Sequence, residues 1–186
     1  MPAYLAGMTL DPRKLLFRPR GRLSRAEFVV GVVMFVAVVL ASFYLMHLLN
    51  PATAAGFWAG LVLLFVIPFM FYSVWGQRLH DMGRSVWPVT AALFLAFLIL
   101  IGVMLAYGGT EYFSEFSQYD RKDEIDTEVR ELLQAEFQAK LANGGEQRAG
   151  LLLNLLFGAL TVWLAVAPGE RSENRYGPPP TSAIAV

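Results

Sequence analysis

Four apolar stretches separated by charged segments set the organisation of this chain. From Phe28 to Leu49 there is no Asp, Glu, Lys or Arg, and about 22 residues rising roughly 1.5 Å each cover a hydrocarbon core of roughly 30 Å. The run is too long for the apolar region of a secretory signal. Ser24 and Glu27 form an S-x-x-E capping box just ahead of it, so a helix is predicted to start there. A second span runs from about Phe57 to Trp75, with Pro68 inside it as an expected kink. The third covers Val86 to Tyr107, with Ser85 as N-cap and Pro88 in the first turn. The fourth, Leu151 to Ala167, is at the short limit for crossing.

The polar segments divide the chain further. Residues 1–25 form a basic cytoplasmic arm, 26–107 hold spans one to three with a loop at 76–85, 108–150 form an acidic insert, 151–167 the fourth span and 168–186 a tail. Two readings of the arm stand: a flexible flank that only sets orientation, or a segment in the headgroup layer with Leu15, Leu16 and Phe17 inserted. In the insert, Ile125, Val129, Leu132, Leu133, Phe137 and Leu141 recur at helical spacing, and Asp126/Arg130 and Glu136/Lys140 are acid-before-base pairs four residues apart. An amphipathic helix is predicted. Its carboxylates would be repelled by anionic headgroups, which leaves a protein partner, the protein's own helix ends or a neutral membrane interface to cover the apolar stripe.

Charge then supplies an orientation. The flanks carry six Lys and Arg before the first span, two between the second and third, two after the fourth and none between the first and second, so both termini are predicted to be cytoplasmic and the insert extracytoplasmic. The tryptophans fit this layout, with Trp75, Trp87 and Trp163 at the inner interface and Trp58 at the outer one. The expected fold is all-α and polytopic, with four transmembrane helices and an extracytoplasmic amphipathic helix between spans three and four.

Hydrophobic residues make up 56% of the chain and the formal net charge is zero, which fits a bilayer as solvent and gives no field to recruit nucleic acid. With no cysteine and two distant histidines, His47 and His80, no metal or cofactor site and no thiolate chemistry is expected. No ionisable side chain falls near the centre of a span, as ion carriers require.

Three polar strings fall on the predicted inner face: GRLSRAEF at Gly21 to Phe28, GQRLHDMGRS at Gly76 to Ser85 and GERSENRYGP at Gly169 to Pro178. In this order, with Trp87-Pro88 after the second, they resemble the bacterial "domain of unknown function 805" family of small inner-membrane proteins. The resemblance implies a multi-pass helical protein of the bacterial inner membrane and brings no catalytic residue or cofactor. The long acidic insert departs from it.

The strings collect Arg22, Arg25, Glu27, Arg78, His80, Asp81, Arg84, Glu173, Asn174 and Arg175 at one membrane face. Arginine forks pair with carboxylates or phosphates, so the cluster is either a staple between helix ends or a site for anionic headgroups. No serine, cysteine or metal completes a mechanism around His80 and Asp81, and no enzyme is expected. The reading that follows is an accessory or assembly subunit of a larger membrane complex, in contact with membrane lipids and with other subunits or itself. The alternatives are a headgroup or small-ligand binding protein and a transporter of a small apolar solute.

Overall fold

The computed structural model describes residues 11–49, 53–118 and 126–180, and these are helical with no strand. The helices are α1 Pro12–Phe17, α2 Arg25–Leu48, α3 Ala54–Asp81, α4 Trp87–Met104, α5 Thr110–Phe116, α6 Thr127–Lys140 and α7 Glu146–Val166. Four helical stretches are long and apolar enough to cross a membrane. Large apolar side chains point outward along them, among them Val33, Leu40 and Phe43 on α2, Phe65 on α3, Phe94 on α4 and Leu155 on α7. Such a surface would be a large unfavourable apolar exposure in water and carries no such penalty against lipid tails. This is a multi-pass membrane protein.

Local chemistry sets the helix boundaries. The capping box at the start of α2 forms as expected, with the Ser24 N–H donating to Glu27 Oε2 at 2.9 Å and the Glu27 N–H donating to Ser24 Oγ at 3.3 Å. Helix α3 contains Pro68, as expected, and differs from the expectation in its extent: it continues beyond Trp75 to Asp81. The segment 76–81, predicted as part of a loop, is therefore helix, because none of Gly76 to Asp81 lacks a backbone N–H and their polar side chains find partners inside the protein. The stop comes at Gly83, whose φ of 67° completes a Schellman turn: the Gly83 N–H donates to the His80 carbonyl and the Arg84 N–H to the Leu79 carbonyl.

Two other ends move as well. The first bonds of α4 run to the Val86 carbonyl, one residue beyond the expected cap at Ser85. Helix α7 starts at Glu146, and its 21 residues span about 31 Å, so it is not short for a crossing. Glu146 in the first turn favours this earlier start through the helix dipole.

The chain forms two compact units, Met1–Ala91 with Leu160–Val186 and Ala92–Ala159. In the first, Trp75 is buried rather than anchored at an interface. Its ring stacks on Phe71 at 4.2 Å and meets Phe35 and Phe28 edge-on at 5.2 and 5.6 Å, while its Nε1–H donates to Thr161 Oγ1 at 3.0 Å. A buried indole brings both a large apolar area and a donor that needs a partner, and this site supplies both. Trp58, Trp87 and Trp163 keep exposed rings. Helices α2 and α3 pack tightly at Gly31, where a Cβ would lie 3.0 Å from Val74 Cγ1.

In the second unit the same pattern, L-A-x-G-G, interrupts the helical path twice, at Leu105–Gly109 and Leu141–Gly145. Gly108 and Gly144 take φ of 103° and 136°, a region open to glycine at little cost. The two turns meet: a Cβ at Gly145 would sit 3.2 Å from Tyr107 Cγ, and the Arg148 guanidinium lies over the Tyr107 ring at 5.6 Å. Phe137 of α6 stacks on Tyr112 of α5 at 5.2 Å, and Lys140 pairs with Glu111 and, at 3.0 Å, with Glu136.

Replacing Gly31 with valine is expected to force α2 from α3 and lower stability by about 1–3 kcal/mol. Gly102→Ala and Gly158→Ala, at positions where a Cβ meets nothing within 4 Å, should leave it within about 0.5 kcal/mol. Thermal unfolding in detergent distinguishes the two cases.

Candidate functional site

The last turns of α3 carry Gln77, Arg78 and Asp81, whose spacing of three and four residues places them along one side of the helix. Arg78 is 0% exposed. Its Nε donates to the Leu164 carbonyl at 2.9 Å, its Nη1 to the Leu23 carbonyl at 3.2 Å and to Asp81 Oδ2, and its Nη2 to the Ala167 carbonyl. Leu164 and Ala167 stand at the C-terminal end of α7, where the final carbonyls have no partner within the helix. One guanidinium thus satisfies a helix end and is itself satisfied.

Arg22 reaches Asp81 from the other side. Its Nε donates to Asp81 Oδ1 at 3.1 Å, its Nη1 to the Ser172 and Gly177 carbonyls at 2.8 and 3.1 Å, and its Nη2 to the Glu170 carbonyl and, at 3.4 Å, to that of Asp81. One buried carboxylate therefore holds two buried guanidiniums. Among the described residues no buried side-chain nitrogen or oxygen lacks a hydrogen-bond partner, which is the condition under which buried charge is tolerated.

The tail closes over this centre. The Glu170 N–H donates to the Asp81 carbonyl at 2.8 Å, and Asn174 Nδ2 donates to the His80 carbonyl at 3.0 Å and to Glu170 Oε2 at 2.7 Å. Gly169 packs against the Asp81 carboxylate so closely that a Cβ there would overlap it, and a Cβ at Gly83 would overlap the Glu170 carboxylate. His80 Nδ1 lies 3.2 Å from the Gly21 carbonyl, so that nitrogen carries the proton. The imidazole ring stacks on Tyr176 at 3.8 Å.

The polar residues of the three strings are thus brought together to different degrees. Arg22, Arg78 and Asp81 form the centre; His80 and Asn174 bind its rim; Arg25 donates from its Nε to the Ala167 carbonyl at 3.2 Å at the surface. Glu27 belongs to the cap of α2. Arg84 lies over Trp163 at 5.4 Å and Arg175 over Tyr176 at 4.7 Å, and Glu173 is exposed. Gln77 and Gly169 are further members of the site. A glutamine four residues before Asp81 signals a shared helix face only once this segment is recognised as helix.

Gln77 also docks the basic arm. Its Nε2 donates to the Lys14 and Leu15 carbonyls at 3.3 and 3.1 Å, its own carbonyl accepts from the Leu23 N–H at 3.3 Å, and Leu15 and Leu16 of α1 are buried. Residues 12–25 are therefore a packed element. They wall a cleft of about 380 Å³ that Lys14, Arg18, Arg20 and Arg22 line together with Gln77 and Tyr176.

In the second unit the predicted stripe of α6 splits. Leu133, Phe137 and Leu141 are half-buried, Leu133 and Phe137 facing a cavity of about 250 Å³ beside Tyr112. Val129 and Leu132 are exposed, Leu132 by 64%, and Ile125 lies outside the described residues. Asp126 caps the helix by accepting from the Glu128 N–H at 3.2 Å.

Compared with known proteins, the chain matches the family model described as "Protein of unknown function (DUF805)" over residues 16–178. No curated protein and no solved structure gives a match.

Asp81→Asn leaves two buried guanidiniums without a countercharge and is expected to cost about 3–5 kcal/mol, read as a loss of thermal stability in detergent. Gly169→Ala, which drives a methyl into that carboxylate, should act in the same direction. Glu173→Gln should be neutral within about 0.5 kcal/mol.

Proposed function

The chain belongs to the DUF805 family, and from that premise we propose that it is a non-enzymatic protein of the bacterial inner membrane, an accessory or assembly subunit of a larger membrane complex. The observation that carries this reading is the exposure of Leu132, with Val129, on α6, where Glu128 and Glu136 flank Leu132 four residues to either side on the same face. Leu133 and Phe137 have neighbours in their own unit; Leu132 and Val129 stand open one turn apart. A partner surface that is apolar at its centre and basic at its rim fits this face, since the insert from Gly108 to Gly150 has a net charge of −5.

The chemistry of the inner strings supports the non-enzymatic part. The donors of Arg22 and Arg78 are directed to backbone carbonyls and Asp81, and Glu27 is held in a helix cap. These side chains join helix ends and are not presented to a substrate.

The orientation that goes with this reading has both termini in the cytoplasm and α6 outside, following the Lys and Arg of the short flanks. Because the chain has no cysteine, Arg175→Cys and Glu128→Cys each introduce a unique label at an exposed position. An impermeant thiol reagent added to intact spheroplasts is expected to modify Glu128→Cys and to reach Arg175→Cys only after lysis. The reverse pattern would overturn the orientation.

The partner itself is tested by crosslinking in the native membrane followed by extraction in mild detergent. A defined complex with other membrane subunits is expected, and Leu132→Glu should reduce it about tenfold, as removal of a central apolar contact does, without lowering thermal stability. A monomer or self-only oligomer after crosslinking would reject the role.

A further inference from the structure

We infer that the cleft walled by α1 and residues 18–23 is a binding site for a phosphate ester, presented either as the headgroup of an anionic lipid or as a free phosphorylated metabolite. The inference is independent of the partner role given to α6. It starts from the charge around the cleft. Arg22 and Glu27 both line it, but Arg22 is held by Asp81 and Glu27 by Ser24. Lys14, Arg18 and Arg20 remain, exposed at the cleft, and among the described residues none of them makes an ion pair.

Three cations on a loose arm would be a solvated flank, but this arm is held. The Gln77 amide donates to two carbonyls of α1, the Leu23 N–H is tied to the Gln77 carbonyl, and Leu15 and Leu16 are buried beneath. The backbone that bears the cations is thus ordered before any ligand arrives, which removes part of the entropic cost of binding. Arginine forks and a lysine ammonium converging on one concavity match the bidentate and point-charge modes by which phosphate is held.

The walls define the class more narrowly. At about 380 Å³ the space lies within the range of small-ligand sites, roughly 300–1,000 Å³, and exceeds the needs of a bare anion. Leu15, Leu23 and Pro178 and the Tyr176 ring line it beside the cations, so an organic substituent on the phosphate has apolar surface to lie against. The arm leads directly through the Ser24 cap into α2, a helix long and apolar enough to cross a membrane, which makes a lipid headgroup one source of the phosphate.

The test uses the full-length protein. It is reconstituted in nanodiscs of phosphatidylcholine with one-fifth phosphatidylglycerol and examined by native mass spectrometry after transfer to detergent, and separately titrated in detergent with glycerol 3-phosphate and with inorganic phosphate. Retained phosphatidylglycerol is expected if the source is lipid, and saturable glycerol 3-phosphate binding, stronger than that of inorganic phosphate, if it is a soluble ester. In either case Lys14→Ala, Arg18→Ala and Arg20→Ala should each weaken binding about fivefold, the effect of roughly 1 kcal/mol per cation near an anionic surface.

Arg13→Ala serves as the control, because Arg13 is exposed on α1 but does not line the cleft; it should leave binding unchanged although it removes the same charge. All four residues are at the surface, so thermal stability should be retained in each variant. Binding of neither probe by the wild-type protein, or losses with Arg13→Ala equal to those of the three cleft variants, would overturn the inference.

Discussion

A guanidinium buried at a helix end needs acceptors, and a helix end buried at the same place has carbonyls without donors. In the first unit each of these liabilities resolves the other. Arg78 delivers its N–H groups to Leu164 and Ala167 at the close of α7 and to Leu23 before α2, while Asp81 neutralises it and holds Arg22 as well. Removing any one member strands the rest. The arrangement also accounts for the small residues around it, since Gly169 lies against the Asp81 carboxylate with no room for a side chain. Within the lipid-crossing part of α3, by contrast, cohesion comes from aromatic packing around Trp75 and from the close approach at Gly31.

This division of labour bears on function. In this polar centre the donors of Arg22 and Arg78 run to backbone carbonyls and to Asp81, so the proposed ligand and partner chemistry is assigned to groups outside it. Two sets are left. One is the trio of cations on the arm that Gln77 pins down. The other is the exposed apolar pair Val129 and Leu132 on α6. They differ in kind, one cationic and the other apolar, and neither belongs to the buried centre that the most polar strings of the chain build.

Several features were legible in the residues because they depend on neighbours in sequence. The four spans follow from apolar runs long enough to cross a bilayer, the cap at Ser24 and Glu27 from a three-residue spacing, and family membership from three ordered strings. The segment Gly76 to Asp81 has the polarity of a solvent-exposed loop and is helix in the structure. Helix propensity there is ordinary, and the polar side chains are buried among partners contributed by residues up to about a hundred positions away, as with Asn174 and His80. Trp75 differs from its expected place for a related reason: an indole near the end of a span fits an interface equally well, and only the packing of Phe28, Phe35 and Phe71 around it makes it internal.

By itself, then, the sequence determined an all-helical chain with four membrane-crossing segments, the cap that starts the first of them, and the three polar strings that mark the family, because periodicity, run length and capping are local properties. Only the tertiary structure decided which arginines are internal and which are available. Arg22 and Arg78 are chemically the same as Arg18 and Arg20, and what separates them is whether a carboxylate and a set of orphaned carbonyls from distant parts of the chain converge on the guanidinium. That convergence is a matter of packing between helices, which no local pattern encodes.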